Sequence, residues 1–329
     1  MKIILILLLF IALPFGLISQ DKVDWHAYMQ LRASSNMNDS YNVSVRRLKF
    51  WINSGSDFSD HWSFKVQAIF ISFRQEKLFL QDAYGQYASL DGNHSLRFGQ
   101  LTPKYSLQWT QRDYLMPSLE RALSVNALVP DGSLGVRDLG MQYTFKALDK
   151  NLEMNIGAFK GRGITEFTTL EKGFLLSQNS FYKFHIKNAK LKLGYSLMYR
   201  KAYNLPIKHV LADSVLFTGN DSRFGVYGML QTKHFDFQTE YLRGLIGGSI
   251  TDGYYALATI KINTKNQVFL SYDKYTDIIS TTVNNPWYFG GYNYFIKDYK
   301  LMISLQIGFQ DAGVDWRNLT ILQFQMFIH

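Results

Sequence analysis

The sequence predicts an all-β fold, a transmembrane antiparallel β-barrel of about sixteen strands, and three observations predict it. From Val23 to the C-terminus, apolar and polar residues alternate with period two. The alternating segments run to about eight to eleven residues, the length of a strand that crosses a bilayer with one face toward lipid. The connectors between segments are short and long by turns, as expected when one barrel end carries tight turns and the other carries loops. Finally, 16% of the residues are aromatic and only six of the 329 are proline, so hydrophobicity is spread thinly along the chain.

Taken in order, Lys2 and the apolar run from Ile3 to Ile18 read as a secretory signal peptide over residues 1–19, cut near Ser19 or Gln20. The run falls short of the ~20 apolar residues a spanning helix needs. Residues 20–329 then form a single barrel domain. Alternation is clear where Phe64, Val66, Ala68 and Phe70 oppose Lys65, Gln67 and Ile69, and where Leu139, Met141, Tyr143 and Phe145 oppose Asp138, Gly140, Gln142 and Thr144. It recurs where Leu191, Leu193, Tyr195 and Leu197 oppose Lys192, Gly194 and Ser196, and where Leu301, Ile303, Leu305 and Ile307 oppose Met302, Ser304, Gln306 and Gly308. One segment fits less well: with Leu48, Phe50 and Ile52 toward lipid, parity places Arg46 on the lipid face, where it snorkels at the rim or marks a bulge.

The short connectors fall at 54–60, 91–94, 147–151, 187–190, 232–234, 263–266 and 297–300. The long ones fall at 33–42, 102–136, 160–180, 201–221, 243–252, 275–286 and 311–318, with one brief exception at 73–77. Short connectors are expected in the periplasm and long ones outside the cell, with both termini periplasmic.

Absence of cysteine excludes disulfides, thiolate metal sites and cysteine nucleophiles, and no cofactor is expected. The formal charge of +9 invites a nucleic-acid reading, but the basic residues are scattered singly and no nucleic-acid module accompanies them. On parity, Arg47, Lys49, Lys65, Arg97, Lys183, Lys192 and Arg223 face a shared lumen, where a positive field attracts small anions. Asp82, Asp138, Glu153, Asp236 and Glu240 face the same way, so the expected preference is modest. A barrel-embedded lipid hydrolase needs a serine, a histidine and a polar partner close together. Here the histidines are dispersed, and Gly132-Ser133-Leu134-Gly135 lacks the nucleophile-elbow spacing.

Several segments resemble the phosphate-selective porin O and P family of outer-membrane porins: RRLKFWINSG from Arg46, LQDAYGQY from Leu80, LRFGQLTPKYSL from Leu96, LERAL from Leu119 and RDLGM from Arg137. Weaker echoes follow in FQTEYL from Phe237, GYYALA from Gly253, LSYDKY from Leu270, GGYNYF from Gly290 and LQFQMF from Leu322. The resemblance implies a sixteen-stranded homotrimeric porin in outer-membrane lipid, with small anions such as phosphate as solutes. The chain departs from that pattern in its trimmed loops and in having His329 after Phe327. A channel for sugars or short oligosaccharides is the alternative within the same class.

The longest interruption, 102–136, reads as a loop carrying a short helix, with Pro117 in its first turn and Leu119, Leu123 and Leu128 as apolar contacts. In the resembled family this loop folds inward and narrows the channel, which makes Arg112, Glu120 and Arg121 the constriction candidates. The competing role for Glu120 and Arg121 is to pin the loop to the wall by an ion pair with a partner such as Arg137 or Asp138.

Overall fold

A computed structural model describes residues 23–36, 41–71, 77–129, 136–164, 172–207, 210–212, 214–278, 285–313 and 316–328. The signal-peptide expectation over residues 1–19 lies outside them. Sixteen strands follow in chain order. They are β1 (Val23–Ser35), β2 (Tyr41–Gly55), β3 (Trp62–Ile71), β4 (Lys77–Ala88), β5 (His94–Leu101), β6 (Asp138–Ala147), β7 (Leu152–Phe159) and β8 (Phe174–Ile186). The second half comprises β9 (Ala189–Pro206), β10 (Leu216–Gln231), β11 (Phe235–Ile246), β12 (Ser249–Lys261), β13 (Asn266–Thr276), β14 (Trp287–Lys297), β15 (Leu301–Asp311) and β16 (Trp316–Phe327). Each strand pairs antiparallel with its sequence neighbours, and β1 pairs with β16 through eight registered positions from Tyr28↔Phe327 to Ser35↔Thr320. Closure therefore leaves no edge strand, so every strand's backbone groups find partners without water.

The period-two pattern decides which face is which. Val66 is 49% exposed while its neighbour Gln67 is 6% exposed, and the same contrast separates Leu305 (39%) from Gln306 (2%). Apolar side chains thus point outward, and a ring of buried Gln, Asn, Ser and charged residues points inward. This inversion of the soluble-protein rule is what a wall facing lipid outside and water inside requires.

The structure refines the sequence expectation at the connectors and at Arg46; β9 and β10, for example, reach Pro206 and Leu216, inside the expected 201–221 connector. The 243–252 connector is a two-residue turn at Gly247-Gly248, both at positive φ, because the strands continue almost to the turn. At Arg46 the bulge reading holds and the snorkelling one does not: register slips between Gln30↔Arg47 and Leu31↔Val45, so Arg46 is the extra residue of a β-bulge and turns inward beside Arg47. A second slip, between Gln67↔Asp82 and Ala68↔Leu80, makes Gln81 the extra residue on β4, and Gln81 and Asp82 are both buried.

Candidate functional site: a cavity between a loop and a basic wall

Between β5 and β6 the described part of the long connector runs from Thr102 to Val129 and holds two short helices, α1 (Leu107–Thr110) and α2 (Leu123–Leu128), with a 3-10 turn at Asp113–Leu115. The expected helix at Pro117 is absent. Residues 117–120 form bends, and Pro117 serves through its carbonyl, which accepts from Asn293 Nδ2 at 2.8 Å. Leu119 and Leu128 are buried as expected, whereas Leu123 is 43% exposed and borders the cavity described below.

Wall carboxylates seat both helices. Glu240 on β11 accepts from Ser106 Oγ (2.9 Å) and from the backbone N–H groups of Leu107 (2.9 Å) and Gln108 (3.4 Å). Asp273 on β13 accepts from the N–H of Leu123 and from Ser124 Oγ (2.9 Å). A helix start exposes unpaired N–H groups and the positive end of its dipole, so an inward-facing acid is the matching partner. Apolar contact completes the seat. Val125 and Leu128 of α2 pack with Tyr105, Leu242, Tyr255 and Leu257, all essentially fully buried. Gly253 on β12 permits the approach: a Cβ there would lie 2.6 Å from Ser124 Cβ.

The middle of the segment crosses to strands at the opposite side. Leu119 N–H donates to Gln306 Oε1 (2.9 Å), and Gln325 Nε2 donates to the Tyr114 carbonyl (3.3 Å). Glu120 takes hydrogen bonds from Arg32 on β1 and from Arg46, whose Nε and Nη2 both lie at 3.1 Å. Asp113 sits between Lys49 Nζ (2.5 Å) and Arg47 Nε (3.3 Å). Burial alone would raise the Asp113 carboxyl; Lys49 and then Arg47 outweigh it and hold it well below the usual carboxylate range. Burial and then Arg46 and Arg32 set the same contest at Glu120, with the same outcome.

The expected anchoring partners are therefore different ones. Arg137 donates to Asp82 Oδ1 at 2.8 Å, sharing that carboxylate with Lys65 (2.8 Å). Asp138 instead accepts from the Gly161 N–H at 2.6 Å and the Leu139 N–H at 2.8 Å, holding the β7–β8 connector. Arg121 donates to the carbonyls of Gln108 (3.2 Å) and Gln111 (2.9 Å), with its guanidinium 4.5 Å from the Trp109 ring centre. It braces the loop from within, and burial draws its pKa down to about 10, so it keeps its charge at neutral pH.

A cavity of about 1550 Å³ remains between this loop and the wall, formed chiefly by β1 to β5 with further residues from β13 to β16. Eleven Lys and Arg side chains line it against five Asp and Glu. Of the sequence candidates, Arg47, Lys49, Lys65, Arg97, Arg112, Glu120, Arg121 and Arg137 border it; Asp138, Lys183, Lys192 and Arg223 do not. Lys192 lies over the Phe181 ring at 3.8 Å, Lys183 lies 5.3 Å from the same ring, and Arg223 is buried against Asp221 at 2.8 Å.

Sequence reasoning missed Arg32, Lys104 and Asp113. Arg32 shares inward parity with Tyr28 and Gln30, and that signal was there to be read. Among the described residues, Arg97, Lys104, Arg112 and Arg121 have no carboxylate within ion-pair distance; the Arg97, Arg112 and Arg121 guanidiniums donate to Gln86, the Tyr114 phenol and the Gln108 and Gln111 carbonyls, and the Lys104 backbone N–H donates to Gln142 Oε1. Burial, then the neighbouring Arg97, lowers the Lys104 pKa to about 8. Aromatic rings also border the cavity: Trp51 and Tyr114 lie near-parallel with centroids 6.5 Å apart, and Tyr299 stacks on Tyr114 at 5.7 Å.

No protein-family model matches this chain, and no curated protein sequence matches it. Solved structures do, through shape rather than sequence. OprB of Pseudomonas putida at high pH superposes with a TM-score of 0.67 at 9% identity, covering 93% of this chain and 94% of its own. Salmonella typhi OmpF in complex with daunomycin gives 0.66 at 9% identity, covering 93% and 97%. The trimer form of Vibrio cholerae OmpT, an outer membrane protein, gives 0.63 at 10% identity, covering 93% and 98%. At such identities the likeness establishes the fold: this chain has the closed sixteen-stranded barrel of outer-membrane porins.

Proposed function

We propose that this chain is an outer-membrane porin through which small hydrophilic solutes diffuse passively, with a modest preference for anions, phosphate among them. One observation carries the reading: the cavity has a surplus of cations, four of which no described carboxylate neutralises. In a narrow lumen such cations replace part of an anion's hydration and repel cations. Resemblance to the phosphate-selective porin family supports phosphate as a solute, and the porin shape supports the channel. The long-connector end lies outside the cell in this reading, the loop forms the constriction, and three copies assemble, as the trimer form of OmpT does. No enzymatic role belongs to it.

Single-channel recording in a planar bilayer tests this. A finite ohmic conductance with a reversal potential on the anion side is expected, and a silent or cation-selective barrel overturns the reading. Sugar passage is the second reading, favoured by the Trp51, Tyr114 and Tyr299 rings that border the cavity. Block of the current by millimolar maltooligosaccharide supports it over the first.

A further inference from the structure

The lipid-facing wall carries a second cavity that the channel does not use, a groove of about 1060 Å³ across β5 to β12. Two adjacent rows of cross-strand partners border it. One row runs Leu96, Tyr143, Ile156, Gln178, Leu197 and Phe224, each opposite the next, and ends on Arg243. In the other, Ala158 stands between Met141 and Leu176, and Ser222 stands between Tyr199 and Leu245. These two small side chains create the depression, because their outward-facing neighbours are large and exposed.

Charge is concentrated at one end. Arg243 is exposed on the outward face three residues before the end of β11, and Lys201 is exposed outward near the end of β9, with Nζ 3.1 Å from Asn220 Oδ1. Arg162 reaches the same edge, donating to the Tyr203 carbonyl at 3.0 Å. Asp252, the cross-strand partner of Arg243, accepts instead from Tyr241 Oη at 3.2 Å. Outward cations are tolerated only near the membrane surface, where they meet lipid headgroups. Lys201 pairs with Asn220 and Arg243 with Phe224, four residues further along β10, so the two cations, on the strands flanking β10, stand about 13 Å apart along the strand direction and about 10 Å apart across it. One phosphate does not span that distance, whereas a headgroup bearing a phosphate at each end does.

We infer that this groove binds a bis-phosphorylated, multiply acylated lipid of the lipid A kind, with acyl chain along the groove and phosphates on Arg243 and Lys201. This rests on placing the long-connector end outside the cell, where such a lipid is found. The test is native mass spectrometry of the full barrel with deep-rough lipopolysaccharide, phosphatidylglycerol serving as competitor. Lipopolysaccharide is expected to stay bound. Arg243→Gln and Lys201→Gln are each expected to lower retention about five-fold, the worth of one surface cation toward an anionic lipid. Ser222→Trp, which fills the groove without touching the lumen, is expected to lower it as well, with conductance unchanged in all three variants. Retention equal to wild type in all three, or displacement by equimolar phosphatidylglycerol, overturns the site. Failure of the orientation is read separately: cysteine labelling of intact cells at Gly92 but not at Leu216 refutes the placement whatever the lipid does.

Discussion

The two sides of the barrel interior are built differently. Against β11 to β13 the loop is seated on carboxylates and apolar side chains, and the space is filled. Facing β1 to β5 the same loop leaves an open cavity, held at a distance by ion pairs from Glu120 and Asp113. The filled side follows the rules of a soluble core, with tight packing, capped helix starts and a glycine where backbones meet. The open side leaves its charges unequal in number. A single loop thus packs against one part of the inner wall and leaves a cavity against another; in the proposed function, the chemistry of that remaining wall sets what passes.

The largest effect is expected on the filled side. Leu128→Ala removes a fully buried side chain of α2 and should cost about 2–5 kcal/mol of folded stability. With the seat weakened, conductance should rise and become noisy. Gln67→Ala on the open side should stay within about 0.5 kcal/mol despite similar burial in the bare barrel, since water replaces its amide contacts. Equal costs at the two positions would erase the distinction.

Next comes the tie that spans the two sides. Glu120→Gln leaves Arg32 and Arg46 facing each other without a counter-charge. Glu120 is 29% exposed, so the loss should be about 2 kcal/mol, below that of a fully buried pair. Because the Glu120 carboxyl is held below its usual range, its contribution is present above the ordinary carboxylate pKa and is lost only as pH falls through the depressed value. The stability difference between wild type and Glu120→Gln should therefore be constant from pH 8 down to about pH 5 and shrink in stronger acid. A difference already gone at pH 5 would contradict the pairing.

Much of this architecture was legible in the sequence, and what was not has identifiable causes. Parity separated Val66 from Gln67 and Leu305 from Gln306 because a strand buried on one face has no other period. At Arg46 the break in parity was itself the signal: of the two readings it allowed, a snorkelling side chain or a bulge, the bulge holds, because an inserted residue reverses parity locally. Glu120 was singled out, but its partners Arg32 and Arg46 lie 88 and 74 residues away in sequence and meet it only through barrel closure. Pro117 resembled a helix start; the true starts lie where Glu240 and Asp273 wait on the wall, and only at the first does a local signal, the capping Ser106, mark the place.

Smaller effects are expected for selectivity. Arg112→Gln should shift the reversal potential toward cations without altering conductance noise, since among the described residues Arg112 bonds to Tyr114 alone and it faces the cavity. Arg121→Gln should shift it too but add noise, because its guanidinium also braces the Gln108 and Gln111 carbonyls. Lys192→Gln, outside the cavity lining and set over Phe181, should shift it least. A larger shift from Lys192 than from Arg112 would move the selective region to the other side of the loop.

The most direct test of the central claim is the reversal potential of the purified barrel across a potassium chloride gradient, recorded at pH 7 and again at pH 9.5. The account predicts anion preference at pH 7 that weakens at pH 9.5, because Lys104, lowered by burial to about 8, gives up its charge as pH rises through that value. Lys104→Met should reduce the pH dependence. Cation preference at pH 7, or a preference that strengthens toward pH 9.5, would contradict the claim that uncompensated cations on the open side govern passage.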